Sequence, residues 1–248
     1  MSRIRFIGRV LAIAGGLLVF LPLHYLWRLL RAPSPWPRAF LRWVGRASGM
    51  RVAVDGTPLT RNVLFLANHV SWLDIMILAG ASGTAFVSKA EVGKWPVVGW
   101  LAGLNNTVYV ERSDRKNVRG QADALRNALA SGQPVALFPE GTTEGGHEVL
   151  PFRASLLASL FPPLPGILVQ PVAIDYGAAV DEIAWVGDEP AAANARRVLS
   201  RRGTIPVRVS FLQPVDPVAA GDRKALAAAA QAEVEAALGA SSGGGAAL

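Results

Sequence analysis

From Arg51 onward the chain alternates short apolar runs with helical patterns, and this alternation restricts the possible folds more than any other feature. The pattern predicts strands at Arg51–Val54, Val63–Ala67, Thr84–Ser88, Thr107–Val110, Val135–Phe138, Leu168–Ile174 and Val207–Leu212. Helices are predicted between them, near Trp72–Leu78, Lys94–Leu104, Arg119–Ala130, Ser155–Leu160 and Arg223–Leu238. Buried strands that take turns with helices make an α/β domain around a mixed, largely parallel sheet. Such a sheet puts its binding site where strand ends meet helix starts. A chain of 248 residues has room for one such domain with a sizeable core. Residues 240–248 are small and Gly-rich and read as a disordered tail, which leaves 51–239 for the α/β domain.

Residues 1–50 are of a different kind. Val10 to Trp27 is almost wholly apolar, interrupted by Gly15-Gly16 and Pro22 and carrying His24. That is the short end of the length needed to span a bilayer, and Pro22 is a point for a kink. Arg3 and Arg5 give it the look of a signal peptide, but no small-x-small cleavage site follows, and arginines do. A retained membrane anchor is the favoured reading. A second helix is predicted over Trp36–Ala47, with Arg38, Arg42 and Arg46 on one side and Trp36, Phe40, Trp43 and Val44 on the other. This suits a helix lying in the membrane interface, with a helix packed on the domain as the rival. Nine arginines and no acidic residue precede Asp55, while the rest of the chain carries 16 basic and 18 acidic residues. Basicity confined to the apolar end favours anionic lipid over nucleic acid, for which no motif is present. The absence of cysteine excludes a disulfide framework, a thiolate zinc site and a cysteine nucleophile.

The apolar run that ends at Ala67 delivers Asn68 and His69 to a turn just before a helix. His69 and Asp74 stand at the spacing His-x-x-x-x-Asp. A carboxylate in the first helical turn can hold one ring nitrogen and leave the other to take a proton from a hydroxyl. Ser71 followed by Asp74 also has the form of a capping box, and the two roles are compatible. Phe138-Pro-Glu-Gly-Thr142 opens a Gly-rich loop whose amides, with the Thr142 hydroxyl, suit an anion. Glu140 is out of place in such a cradle; it suits a substrate hydroxyl or an arginine, and turn chemistry alone is the rival. Tyr109-Val-Glu-Arg112 brings Arg112 to a strand end, where a guanidinium can fork onto phosphate or carboxylate. Lys89 and Arg153 fall at similar ends and could join an anion site or lie on the surface. His24 and His147 have no partners at metal-ligand spacing, so no metal site is assigned and neither is placed in catalysis. No Gly-x-Ser-x-Gly elbow and no P-loop occur.

Taken together, Asn68-His69-x-x-x-x-Asp74, Tyr109-Val-Glu-Arg112, Phe138-Pro-Glu-Gly-Thr142 and Val169-Gln-Pro-Val172 resemble, in order, the four blocks of the glycerolipid acyltransferases. The resemblance covers about Arg51 to Leu212. It implies transfer of an acyl chain from acyl carrier protein or coenzyme A to a lysolipid hydroxyl at a bacterial inner membrane, the catalytic domain on the cytoplasmic side, with no further cofactor. His69 is then the general base and Asp74 its orienting partner. Arg112, Glu140, Gly141 and Thr142 hold the acceptor, and Pro171 shapes the acyl or acceptor pocket. The implied acceptor is 1-acyl-sn-glycerol-3-phosphate, with lyso-ornithine lipid as the alternative. Two departures bear on that choice: Asn106 stands where the second block often has glycine, and Thr143 where the third commonly has arginine. The run Gly141 to Arg153 also resembles the lyso-ornithine lipid branch. A non-catalytic lipid-binding adaptor and a thioester hydrolase are the readings of other classes.

Overall fold

The computed structural model describes residues 2–110 and 118–243. Helices α1 (Ser2–Leu29) and α2 (Trp36–Ala47) lead into strands β1 (Met50–Asp55) and β2 (Val63–Ala67) and helix α3 (Leu73–Ser82). Next come β3 (Ala85–Lys89), the short helices α4 (Ala90–Gly93) and α5 (Val98–Leu104), β4 (Val108–Val110), α6 (Val118–Ala130) and β5 (Val135–Leu137). After a 3-10 stretch over Ala154–Leu160 the chain forms β6 (Leu168–Asp175), α7 (Val180–Ile183), α8 (Ala191–Ser200), β7 (Ile205–Phe211), α9 (Pro217–Ala220) and α10 (Arg223–Gly243).

The strands make one sheet in the order β1-β7-β6-β2-β5-β3-β4. Every neighbouring pair is parallel except β6 with β7. Strand β2 lies at the centre with all its residues buried, as a parallel strand covered on both faces must be. Its residues alternate between two cores. Val63, Phe65 and Ala67 join Ile77 and Leu78 of α3, while Leu64 and Leu66 join Leu129, Leu157 and Leu226 on the other face.

The seven predicted strands are present, and the helices differ in informative ways. Of the helix predicted over Lys94–Leu104 only Val98–Leu104 forms, as α5, while Lys94–Val97 link it to α4. Pro96 cannot donate to a helical ladder there, and Val97 sits at φ 64°, outside the helical region. The last helix runs to Gly243, past the start of the predicted tail; residues 244–248 lie outside the described ones. Helix α8 was not predicted, since it buries only Asn194, Val198 and Leu199.

At the amino end, α1 continues through Gly15-Gly16 and Pro22 without a break. Gly16 is a seat for α2: a Cβ there would lie 2.3 Å from Trp43 Cδ1, and the Trp43 indole donates to the Ala12 carbonyl at 2.9 Å. At 28 residues α1 is about 42 Å long, long and apolar enough to cross a membrane. Two of its four arginines are turned inward, while Arg3 and Arg28 are exposed. Arg5 donates to the Ser200 carbonyl, and Arg9 to those of Val198, Leu199 and Gly203, at the end of α8. On α2, Arg38 and Arg42 both donate to the Gly80 carbonyl and Arg38 also to that of Ala81, at the end of α3. Four of the nine arginines therefore cap orphan carbonyls at helix C-termini, where the helix dipole favours a cation. Charge counting does not separate this use from contact with lipid.

Candidate active site

Strands β2, β3, β5 and β6 are mutually parallel through their pairings, so they end along one edge of the sheet. That edge collects Asn68 and His69 after β2, Lys89 at the end of β3, Phe138 to Thr142 after β5 and Tyr176 after β6. Asn68 locks two of these ends together. Its Nδ2 donates to the Ile174 carbonyl at 2.9 Å, and its Oδ1 accepts from the Ile174 amide at 2.8 Å.

His69 and Asp74 meet as their spacing requires, with Nδ1 2.8 Å from Oδ2. Asp74 is fully buried, yet its carboxylate is held on all sides. Oδ2 also accepts from the amides of Val70 at 2.7 Å and Ser71 at 2.9 Å, and Oδ1 accepts from the Tyr176 hydroxyl. The base-orienting contact and one half of the capping box are thus made by the same group, whereas the Ser71 hydroxyl accepts from the Leu73 amide and not from that of Asp74. The carboxylate takes loop amides at the start of α3 and fixes the imidazole. With Nδ1–H assigned to Asp74 by this geometry, Nε2 is left with its lone pair. The ring is fixed on its face as well: Phe138 stacks on His69 with centroids 3.9 Å apart and planes 10° apart.

Tyr176 is a site residue that the spacing of motifs did not disclose. It is fully buried, and its hydroxyl is pushed well above its ordinary pKa by burial, then by the Asp74 charge and its hydrogen bond to it. It stays a donor at any working pH. The available signal was its position: Tyr176 leaves β6 as His69 leaves β2.

Glu140 is buried, and both its oxygens serve the backbone. Oε1 accepts from the His69 amide at 2.7 Å and Oε2 from the Leu150 amide at 3.1 Å. The Glu144 amide in turn donates to the His69 carbonyl at 3.2 Å. The loop after β5 therefore grips His69 by its main chain. Burial pushes the Glu140 carboxyl up to about 7, with the two amides opposing and Asp74 and Glu144 adding to the rise.

The remaining predicted residues are placed as follows. Gly141 takes φ 79° and donates its amide to the Phe138 carbonyl, closing the turn. Thr142 is exposed, with its hydroxyl on the Thr143 carbonyl at 3.3 Å. Arg153 donates its amide to the Pro139 carbonyl at 2.9 Å and exposes its side chain. Lys89 is exposed. Pro171 is buried within β6, opposite Leu66 of β2. Arg112 lies outside the described residues. His147 pairs with Asp181 at 2.6 Å on the surface, and His24 is buried under α2 against Ser34.

A histidine held at Nδ1 by a buried carboxylate, with a free Nε2 at a sheet edge, can take a proton from a hydroxyl and return it to a leaving group. Comparison with known proteins gives that chemistry a context. A family model described as acyltransferase matches residues 51–175. The lyso-ornithine lipid O-acyltransferase of Brucella abortus is 35% identical over 92% of both chains. That of Rhodobacter capsulatus is 35% identical over 92% of this chain and 90% of its own. The 1-acyl-sn-glycerol-3-phosphate acyltransferase of Neisseria meningitidis is 32% identical over 72% of this chain and 70% of its own. In fold, the chain is similar to the 1-acyl-sn-glycerophosphate acyltransferase of Thermotoga maritima, with a TM-score of 0.67 over 97% of both chains at 24% identity.

Proposed function

This chain belongs to the acyltransferase family, and on that premise we propose that it moves an acyl chain from an acyl carrier protein or coenzyme A thioester to the hydroxyl of lyso-ornithine lipid at a membrane. The observation that carries the chemistry is the His69–Asp74 pair, buried at its carboxylate end and open at Nε2. Nε2 takes the hydroxyl proton as the oxygen attacks the thioester carbonyl. Collapse of the tetrahedral centre breaks the C–S bond, and the imidazolium returns the proton to the thiolate. The products are an ester and a free thiol. This sequence is balanced in protons and electrons, so it calls for no cofactor beyond the donor.

The acceptor is argued from two supports. Thr143 stands where a basic residue would follow the third block, which suits an acceptor without phosphate. The relatives at 35% identity over nine tenths of the chain are named for the aminolipid. A second reading, 1-acyl-sn-glycerol-3-phosphate, is favoured by Arg112 and by the relative from Neisseria. Acyl thioesters of both carriers are cytosolic, which suits a catalytic domain on the cytoplasmic face of a bacterial inner membrane. The exposed apolar residues of α1, with Trp95 and Val97 between α4 and α5 and Val98 and Trp100 at the start of α5, suit the lipid side.

The test offers labelled acyl thioesters and both lysolipids to detergent-purified protein, with His69→Ala as control. Transfer to the lyso-aminolipid, lost in the control, is expected. Transfer to lysophosphatidate alone reassigns the acceptor, and turnover retained by His69→Ala refutes the mechanism.

A further inference from the structure

Strand β1 ends the sheet: among the described residues β7 lies on one side of it and no strand on the other. Beyond Met50 its residues, Arg51 to Asp55, are all exposed, Val52 at 41% and Val54 at 47%. An open edge of this kind is a template for another strand. A groove of about 560 Å³ lies along it, lined by Val52 and Val54, by Met76 and Ile77 of α3 and by Gly45 of α2.

The residues of β1 select what fits it. The Gly49 carbonyl accepts from the Ile205 amide of β7 at 2.8 Å. Main-chain groups turn to alternate sides along a strand, so those of Arg51, Ala53 and Asp55 also face β7, and those of Val52 and Val54 face the open side. Arg51 and Asp55 stand two residues either side of Ala53 and carry opposite charges. An edge protected against its own kind would carry one sign, so that two copies repel. Here a second β1, antiparallel and centred on Ala53, sets Arg51 of each copy against Asp55 of the other and Val52 against Val54. The main chain agrees with that register: Val52 and Val54 exchange N–H to C=O bonds across the axis, and Ala53 meets Ala53 as a non-bonded pair. Asp55 already lies 3.5 Å from Arg208 on its own sheet, but both side chains are more than half exposed, and a carboxylate has lone pairs for a second guanidinium.

The same arrangement suits two chains on one bilayer. Val52 and Val54 share a sheet face with Met50, which belongs to the core beneath α3. Helix α2 packs on α3 and α1 packs on α2, so α1 lies on that side too. The two-fold axis between antiparallel neighbours is normal to the sheet, and it leaves α1 of both copies on one side. We propose that β1 is the interface between two copies of this chain, which join by antiparallel pairing about Ala53 into one continuous sheet. The contact is small, so it forms where α1 holds the chains in one plane and raises their effective concentration.

The experiment uses the full chain in phospholipid vesicles under mild oxidation. The chain has no cysteine, so one is introduced at Ala53 or at Val54. Two copies of Ala53→Cys meet at the axis with Cα atoms about 4.5 Å apart, within the roughly 4.4–6.8 Å that a disulfide spans. Two copies of Val54→Cys, on the same exposed strand, lie on a diagonal roughly 8 Å long, beyond that reach. Ala53→Cys should therefore form a disulfide-linked dimer about tenfold faster than Val54→Cys. Added to Ala53→Cys, Arg51→Asp or Asp55→Arg should each slow linkage about tenfold, because symmetry sets like charges opposite each other twice. A mixture of these two charge variants should link within a few-fold of the rate of Ala53→Cys alone, since each copy then carries one sign and the two signs attract; that recovery also shows that both variants fold. Linkage of Ala53→Cys no faster than that of Val54→Cys overturns the proposal whatever the charge variants do. So do charge variants that link as fast alone as they do mixed.

Discussion

Tyr176→Phe removes one oxygen from a fully buried side chain whose hydroxyl donates to Asp74. The ring stays, so no cavity of consequence forms. What is lost is a hydrogen bond to a charged acceptor, worth about 1.5–3 kcal/mol. For a chain of this size that corresponds to a fall of about 3–12 °C in Tm. Asp74 keeps its bonds from His69, Val70 and Ser71, all on Oδ2, but Oδ1 loses the Tyr176 hydroxyl and the carboxylate can rotate. If half of the lost bond is felt as loosened alignment of the imidazole, kcat falls about 4- to 13-fold, since each 1.36 kcal/mol is one factor of ten. The assay is a double-mutant cycle with Asp74→Ala, following kcat and Tm. Tyr176 acts through Asp74, so Tyr176→Phe should cost about 4- to 13-fold in the wild type and little further activity in the Asp74→Ala background. An equal loss of activity in both backgrounds would refute the coupling and leave Tyr176 as packing alone.

Glu140 makes stability depend on pH. Its folded pKa of about 7 lies above the ordinary 4.5, so its contribution, about 3 kcal/mol, is present in full below pH 4.5 and is lost as pH rises through 7. Glu140→Gln leaves one of two amides without an acceptor, so the variant should be less stable at pH 5, and the gap in Tm should narrow towards pH 8; a constant gap would contradict the assignment. Gly146 has φ 78°, and a Cβ on it would lie 2.5 Å from Val180 Cγ2 and 3.0 Å from Val70 Cγ2. Gly146→Ala should therefore cost about 1–3 kcal/mol in denaturant unfolding and lower turnover through Val70, whereas an unchanged midpoint would show the loop free to shift. Because the chain has no cysteine, Val97→Cys gives a unique site for a nitroxide, which should report oxygen accessibility in vesicles rather than water accessibility; the reverse would remove Trp95 to Trp100 from the lipid-facing surface.

The sequence made some of this legible for physical reasons. A parallel sheet covered on both faces writes each strand as an apolar run, so all seven strands stood out, β2 most clearly. The His69–Asp74 pair is local, five residues apart, and its spacing alone implies the contact. Tyr176 lies 102 residues from Asp74 and reaches it only because β6 pairs with β2, with Val172 opposite Ala67. No local pattern encodes that. Glu140 was legible as a polar residue in an odd place, while its use, gripping the His69 amide, depends on β5 ending beside β2. Gly16 read as an interruption of an apolar helix and is the notch that admits Trp43.

The division at residue 50 into an anchor segment and an α/β domain can be tested. Phe40 and Val44 of α2 are buried, and Gly80 of α3 is open to α2 because a Cβ there would stand 3.1 Å from Arg42 Cα. Removal of residues 1–47 would uncover this apolar face and would strip the Gly80 and Ala81 carbonyls of their arginines. Helix α3, ten residues and about 15 Å long, carries those carbonyls at one end and Asp74 at the other. Loosening one end therefore acts on the other. A chain of residues 48–248 should be degraded by limited proteolysis at sites within 73–82 that the full chain protects, and detergent should not restore its turnover. A truncated chain that stays resistant and active would show that α1 and α2 serve only to reach the membrane.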